Sequence, residues 1–231
     1  MKVIFANKLE SLKSILRSLR NYWLIKMHSI MEIYYCRFFP FNFEVFEFSY
    51  FYTRDSFNKK WVEWSRIYEY EFVKNRLLTL GANANSKVHN SCWGYQGCHI
   101  TFKNELASQF PHLINSDIQY SSEINTSVYD LTKKCPQYWK NEFDFVINIS
   151  TMEEIFSSQL LVLRNLIQML KSGGHLILTF DFPGLKLELF EKLLDDNIKI
   201  PDFPLKKRFP NRSDVPDHLM VGYLVIRRNK S

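Results

Sequence analysis

Apolar positions along this chain follow two periods that take turns. From Trp61 to Leu80 they recur at helical spacing, through Trp64, Ile67, Tyr68, Phe72, Leu77 and Leu80, and Gly81 follows as a stop. Short runs then predict strands at 87–91, 113–117 and 143–149, the last reading Phe143-Asp144-Phe145-Val146-Ile147-Asn148-Ile149. Helices are predicted at 98–110 and at about 157–171, where Leu160, Leu163, Ile167 and Leu170 form a stripe. The Lys171-Ser172-Gly173-Gly174 turn feeds an apolar strand, His175 to Phe180; a helix near 185–195 and a last strand, Leu219 to Arg227, complete the series. Strands that alternate with helices imply right-handed crossovers and a sheet covered on both faces. The expected fold is α/β, a doubly wound and mostly parallel sheet.

The first 60 residues read differently. Leu9, Leu12, Ile15, Leu16 and Leu19 recur at helical spacing, with Lys8, Lys13, Arg17 and Arg20 largely off that stripe. This pattern predicts a basic amphipathic helix, suited either to covering the domain or a dimer seam, or to peripheral membrane contact through residues 1–30, helped by Tyr22 and Trp23. Residues 32–53 are crowded with Phe and Tyr, and Phe41 to Phe48 partly alternates with polar residues, which permits an extended segment. Such a cluster builds core or walls a pocket. The expected division is an N-terminal helical and aromatic extension, 1–60, followed by one domain, 61–231.

Composition narrows the function classes. At 231 residues and 46% hydrophobic, the chain can bury a sizeable core. Thirty cations against 24 anions give a net charge of +6, with no dense basic stripe, so nucleic acid is not an expected partner. Cys36, Cys92, Cys98 and Cys135 form no Cys-x-x-Cys pair; no metal site is expected, and a reducing, cytoplasmic compartment is the simplest reading. No apolar run reaches the roughly 18–20 residues of a membrane span, and no signal-peptide pattern opens the chain.

The chemistry gathers downstream of the first short strand. Val88 to Ser91 runs into Cys92-Trp93-Gly94-Tyr95-Gln96-Gly97, and a helix and a second strand ending in Asp117 follow. Gly94 and Gly97 are two of only seven glycines in the chain, which marks a backbone constraint at that turn. An acid about twenty residues beyond such a turn is spaced to bind a nucleoside ribose.

In order and spacing these segments resemble the class I S-adenosylmethionine-dependent methyltransferases, over roughly residues 65–228. Val88 to Gly97 stands where that family has its glycine-rich first motif, and Asp117 where an acid ends its second strand. Asp130-Leu131 resembles the acidic-apolar pair beside the adenine. Phe143 to Ile155 resembles the fourth strand and its loop, and Leu170 to Leu176 the segment before the fifth strand. The helix piece Arg66-Ile67-Tyr68-Glu69-Tyr70 resembles one found before the core in some members.

The resemblance implies a Rossmann-like domain, S-adenosylmethionine as cofactor, and methyl transfer to a small-molecule acceptor, a sugar or polysaccharide precursor being one option. Implied cofactor-binding residues are Arg66, Asn90, Cys92, Gly94, Gly97, Asp117, Asp130, Leu131 and Ser150. Glu153 and Glu154 are the implied proton acceptors, if the acceptor must lose a proton. Asn90 and Cys92 replace the family's acid and first glycine, and Glu154 stands where many relatives carry histidine. A non-catalytic binding or scaffolding protein with an eroded site is therefore a second reading. A nicotinamide-dependent oxidoreductase is a third, though it would want a cleaner Gly-x-Gly-x-x-Gly.

Overall fold

The computed structural model describes residues 43–53, 66–91, 99–119, 126–155, 158–181 and 219–229. Seven strands form one sheet: β1 (Phe43–Thr53), β2 (Val88–Ser91), β3 (Ile114–Asp117), β4 (Thr126–Val128), β5 (Phe143–Ile149), β6 (Leu170–Asp181) and β7 (Leu219–Arg228). Their spatial order is β1-β7-β6-β5-β2-β3-β4. Strands β2 to β6 run parallel, whereas β7 pairs antiparallel with β6 and β1 antiparallel with β7. The doubly wound, mostly parallel expectation holds. Residues 43–53, expected within the N-terminal extension, form the edge strand of this same sheet, from Phe43 opposite Arg228 to Thr53 opposite Leu219. The expected amphipathic helix at the N-terminus and the helix near 185–195 lie outside the described residues.

Three helices of more than two turns are described: α1 (Arg66–Thr79), α2 (His99–Gln109) and α3 (Gln159–Met169). Helices α1 and α2 cover one face, where Val73, Leu77, Phe102 and Leu106 pack on Val88, Phe145, Ile147 and Ile177. Tyr70 stacks on Phe102, 4.2 Å between ring centroids, and ties the two helices together. On the other face α3 and the segment from Tyr129 to Trp139 meet Phe143, Val146, Leu176 and Leu178. Asn165 of α3 donates to the carbonyls of Leu131 and Lys133 at 2.7 and 2.6 Å, fixing that segment to the helix.

The expected glycine turn after α3 is a bulge inside β6. Leu170 pairs with Phe143 and His175 with Phe145, so four residues of β6 are accommodated against one of β5. Gly173 takes φ +81° there, and a Cβ on Gly174 would lie 3.0–3.1 Å from three backbone oxygens. Asp144 organises this end of the sheet, accepting from the Lys171 ammonium and the Lys87 amide, each at 2.8 Å.

Candidate functional site

The chain order defines a crevice. From β2 the strands proceed outward to β3 and β4, then return to β5 on the other side of β2 and proceed to β6. Connections therefore leave β2 and β5 in opposite directions, and the carboxyl ends of such neighbouring strands are where open α/β sheets bind ligands. The residues at that edge are Asn90 and Ser91 on β2, Asp117 on β3, and Ser150 immediately after β5.

Buried side chains at this edge are unusually polar. Asn90, Asn115 and Thr126 share one row across β2, β3 and β4, and Asn148, Ser91, Ser116 and Ser127 share the next. All are buried apart from half-buried Ser127. Some satisfy one another: Asn90 donates to Asn115 at 3.1 Å, Ser91 donates to the Ile147 carbonyl at 2.8 Å, and Asn148 donates to Ser91 at 3.0 Å. The Ser116 hydroxyl and the Asn148 carbonyl oxygen make no hydrogen bond, and neither does either ring nitrogen of His89. His89 lies against Trp139 and Phe143, with ring centroids at 4.8 and 4.9 Å. Burial lowers its pKa to about 3.

Asp117 ends β3 half-buried, its Oδ1 accepting from the Gln119 amide at 3.1 Å. Two apolar side chains flank it in the open, Ile118 next in sequence and Val128 opposite on β4. Neither was among the expected site residues. Their signal is an apolar side chain exposed by more than half beside a strand-end acid, at 63% for Ile118 and 61% for Val128.

Asp130 and Leu131 have structural duties. The Asp130 carboxylate accepts from both the hydroxyl and the amide of Thr132, at 2.7 and 2.9 Å, which closes a tight turn. The Thr132 hydroxyl is the chief cause holding its pKa below the usual carboxylate value. Leu131 is buried in the cluster against α3.

Beyond β5, Ser150 has φ +40°, a left-handed conformation uncommon for a residue with a side chain. Its amide donates to the Thr179 carbonyl at 2.9 Å, and its hydroxyl donates to Glu69 Oε1. Glu69 belongs to the buried stripe of α1, one turn before Val73 and two before Leu77, and is itself wholly buried. The sequence pattern passed over it because an acid interrupts the apolar periodicity. A one-turn 3-10 helix, Met152–Glu154, follows, with Glu153 buried and Glu154 exposed. The two candidate proton acceptors thus stand in different environments.

The structure brings Asn90, Asp117, Ser150 and Glu153 to the carboxyl end of the sheet. Arg66 opens α1, but its side chain is outside the described part, and Cys92, Gly94 and Gly97 lie outside the described residues altogether. Among the described residues no cluster of metal-ligating side chains occurs, and no helix is long and apolar enough to cross a membrane.

No family model matches the chain, and no curated protein matches it. Among solved structures it is similar to the cyclase SpnF, 13% identical over 90% of this chain and 96% of that one, with a TM-score of 0.49. It is similar to the N-methyltransferase NodS from Bradyrhizobium japonicum WM9 in complex with S-adenosyl-L-homocysteine, 13% identical over 78% and 94%, at 0.46. The YcgJ protein from Bacillus subtilis is 9% identical over 71% and 99%, at 0.49. Several of the similar structures are methyltransferases, but at this distance no residue's role passes from them to this chain.

Proposed function

We infer that this chain binds S-adenosylmethionine at the carboxyl edge of β2 and β3 and transfers its methyl group to a small-molecule acceptor. The observation that carries the reading is Asp117 between Ile118 and Val128. A strand-end carboxylate can accept from both hydroxyls of a ribose, and the exposed apolar pair beside it suits the flat face of a purine. When bound, the sulfonium supplies a methyl group for in-line displacement, and the protein's task is then mainly alignment of the acceptor.

Within this reading Ser150 and Asn90 face the reacting end of the cofactor from two neighbouring strands. Glu153 and Glu154 lie just beyond, within the same loop, and either would accept a proton from an acceptor that must lose one. The first turn, with Gly94 and Gly97, would admit the amino-acid end of the cofactor along its backbone. A sugar hydroxyl is one acceptor compatible with this arrangement.

Calorimetric titration with S-adenosylmethionine and S-adenosylhomocysteine tests the proposal. Wild type should bind at micromolar levels, and Asp117→Ala should bind about 10–100-fold more weakly, the effect of losing charge-assisted bonds worth about 1.5–3 kcal/mol. Folded wild type that binds neither compound would sink the proposal. That result would favour a non-catalytic binding protein, a reading supported by neutral Asn90, whose amide is engaged by Asn115.

A further inference from the structure

We propose that structural water is bound inside the domain, on the α3 face of β2, β3 and β5, held by the Ser116 hydroxyl and the Asn148 side-chain amide. This site is independent of the cofactor reading and lies on the face opposite α1 and α2. Strand pairing sets Asn148, Ser91, Ser116 and Ser127 side by side on β5, β2, β3 and β4. Residues in register on neighbouring strands project to one side of the sheet. Val146, two residues before Asn148, packs in the cluster against α3, so the whole row projects there too. Beyond Asn148 the row continues through Leu178 of β6 and Leu224 of β7, both packed in that cluster. Serine fills far less of a layer than leucine does, and close-packed interiors leave few voids unfilled.

The hydrogen bonds within the row leave a definite remainder. Ser91 donates its proton to the Ile147 carbonyl at 2.8 Å and accepts from the Asn148 amide at 3.0 Å. That proton is spent, so Ser91 can donate to neither Ser116 nor Asn148. The Ser116 hydroxyl, on a residue 1% exposed, and the carbonyl oxygen of Asn148, wholly buried, make no hydrogen bond. Turning the Asn148 amide over would not help, because its NH2 group would be left over instead. Groups of this kind are costly to bury dry. Water donates and accepts alike. As one molecule or a linked pair, it would satisfy Ser116, Asn148 and the spare lone pair of Ser91 between them. The row lies just beneath the carboxyl edge, one residue before Asp117 and two before Ser150. Bound there, the water braces the strands that carry those residues.

Two measurements on the full chain test this. A crystal structure of wild type should show water density within hydrogen-bond distance of Ser116 Oγ and of the Asn148 side-chain amide. Urea unfolding of Ser116→Ala then reads the sign of the effect. With water present, the methyl breaks a satisfied network, and the folding equilibrium constant should fall about threefold to tenfold. Were the hydroxyl dry, the same substitution would remove an unpaired polar group and the constant would rise. An unchanged or raised constant overturns the proposal, and so does a wild-type map with no water at that point. Should Ser116→Ala not fold, wild type alone decides by nuclear magnetic resonance. The Asn148 side-chain amide protons should cross-relax with a water that stays bound longer than the protein takes to tumble. No such transfer would refute the bound water.

Discussion

The two halves of the sheet are built from different chemistry. In β5, β6 and β7 the buried positions are mostly apolar, among them Val146, Ile147, Leu176, Ile177, Leu178, Val225 and Ile226, with Asn148 and Thr179 as polar exceptions. In β2, β3 and β4 the buried positions are mostly polar, namely His89, Asn90, Ser91, Asn115, Ser116 and Thr126, with Val88 as the apolar exception. Burying such groups costs free energy wherever a hydrogen bond is not made, and several here are not made. One half is organised for stability, and the other gives up stability at the edge where a polar ligand would sit.

Substitutions can break or sharpen this contrast. The largest effect should come from the apolar half: Ile177→Ala empties a fully buried position and should cost about 2–5 kcal/mol in urea unfolding. Ligand affinity per folded molecule should stay the same. If affinity falls with stability, the division of labour is wrong. Gly174→Ala comes next. Its new methyl would press on the carbonyls of Phe143, Asp144 and Lys171, and about 1–3 kcal/mol of destabilisation is expected, again without loss of binding.

The smallest effect belongs to the polar half and is best read against pH. His89 is buried neutral, with its pKa lowered from 6.5 to about 3. Between those values the unfolded chain binds the proton and the folded chain does not, so stability falls as pH drops from 6.5 toward 3. His89→Phe removes the unpaired nitrogens and keeps a ring against Trp139 and Phe143. At pH 7 it should change stability by no more than about 1 kcal/mol. Its acid limb in a series of unfolding curves should be less steep than that of wild type. An identical limb would mean that His89 is already protonated or hydrated in the folded state.

Legibility of the fold followed the same division. The strand at 143–149 is found to the residue, because a run rich in Phe, Val and Ile bounded by polar residues has few other readings. The three residues of β4, Thr126-Ser127-Val128, carry no periodicity and are held by their pairing with β3, a tertiary fact no local pattern contains. The Gly173-Gly174 signal was legible as a chain reversal, though not as a bulge within a strand, since register depends on the partner. At the carboxyl edge, the position of Asp117 at the end of a strand was legible from the local pattern. The burial of Glu69 was not, because hydrophobic periodicity treats an acid within a buried stripe as an interruption.

The pairing of β1 with β7 has a consequence for how the chain is made. Partners such as Val45 and Ile226 lie near opposite ends of the sequence, so among the described strands the first synthesised waits for the last. At roughly 5–20 residues per second, the interval is on the order of ten seconds or more on the ribosome. Throughout it an eleven-residue segment rich in Phe and Tyr has no strand to join. Such a segment is a ready template for misassociation. Nascent chains stalled before residue 219 should therefore engage chaperones through residues 43–53, and release should coincide with the emergence of β7.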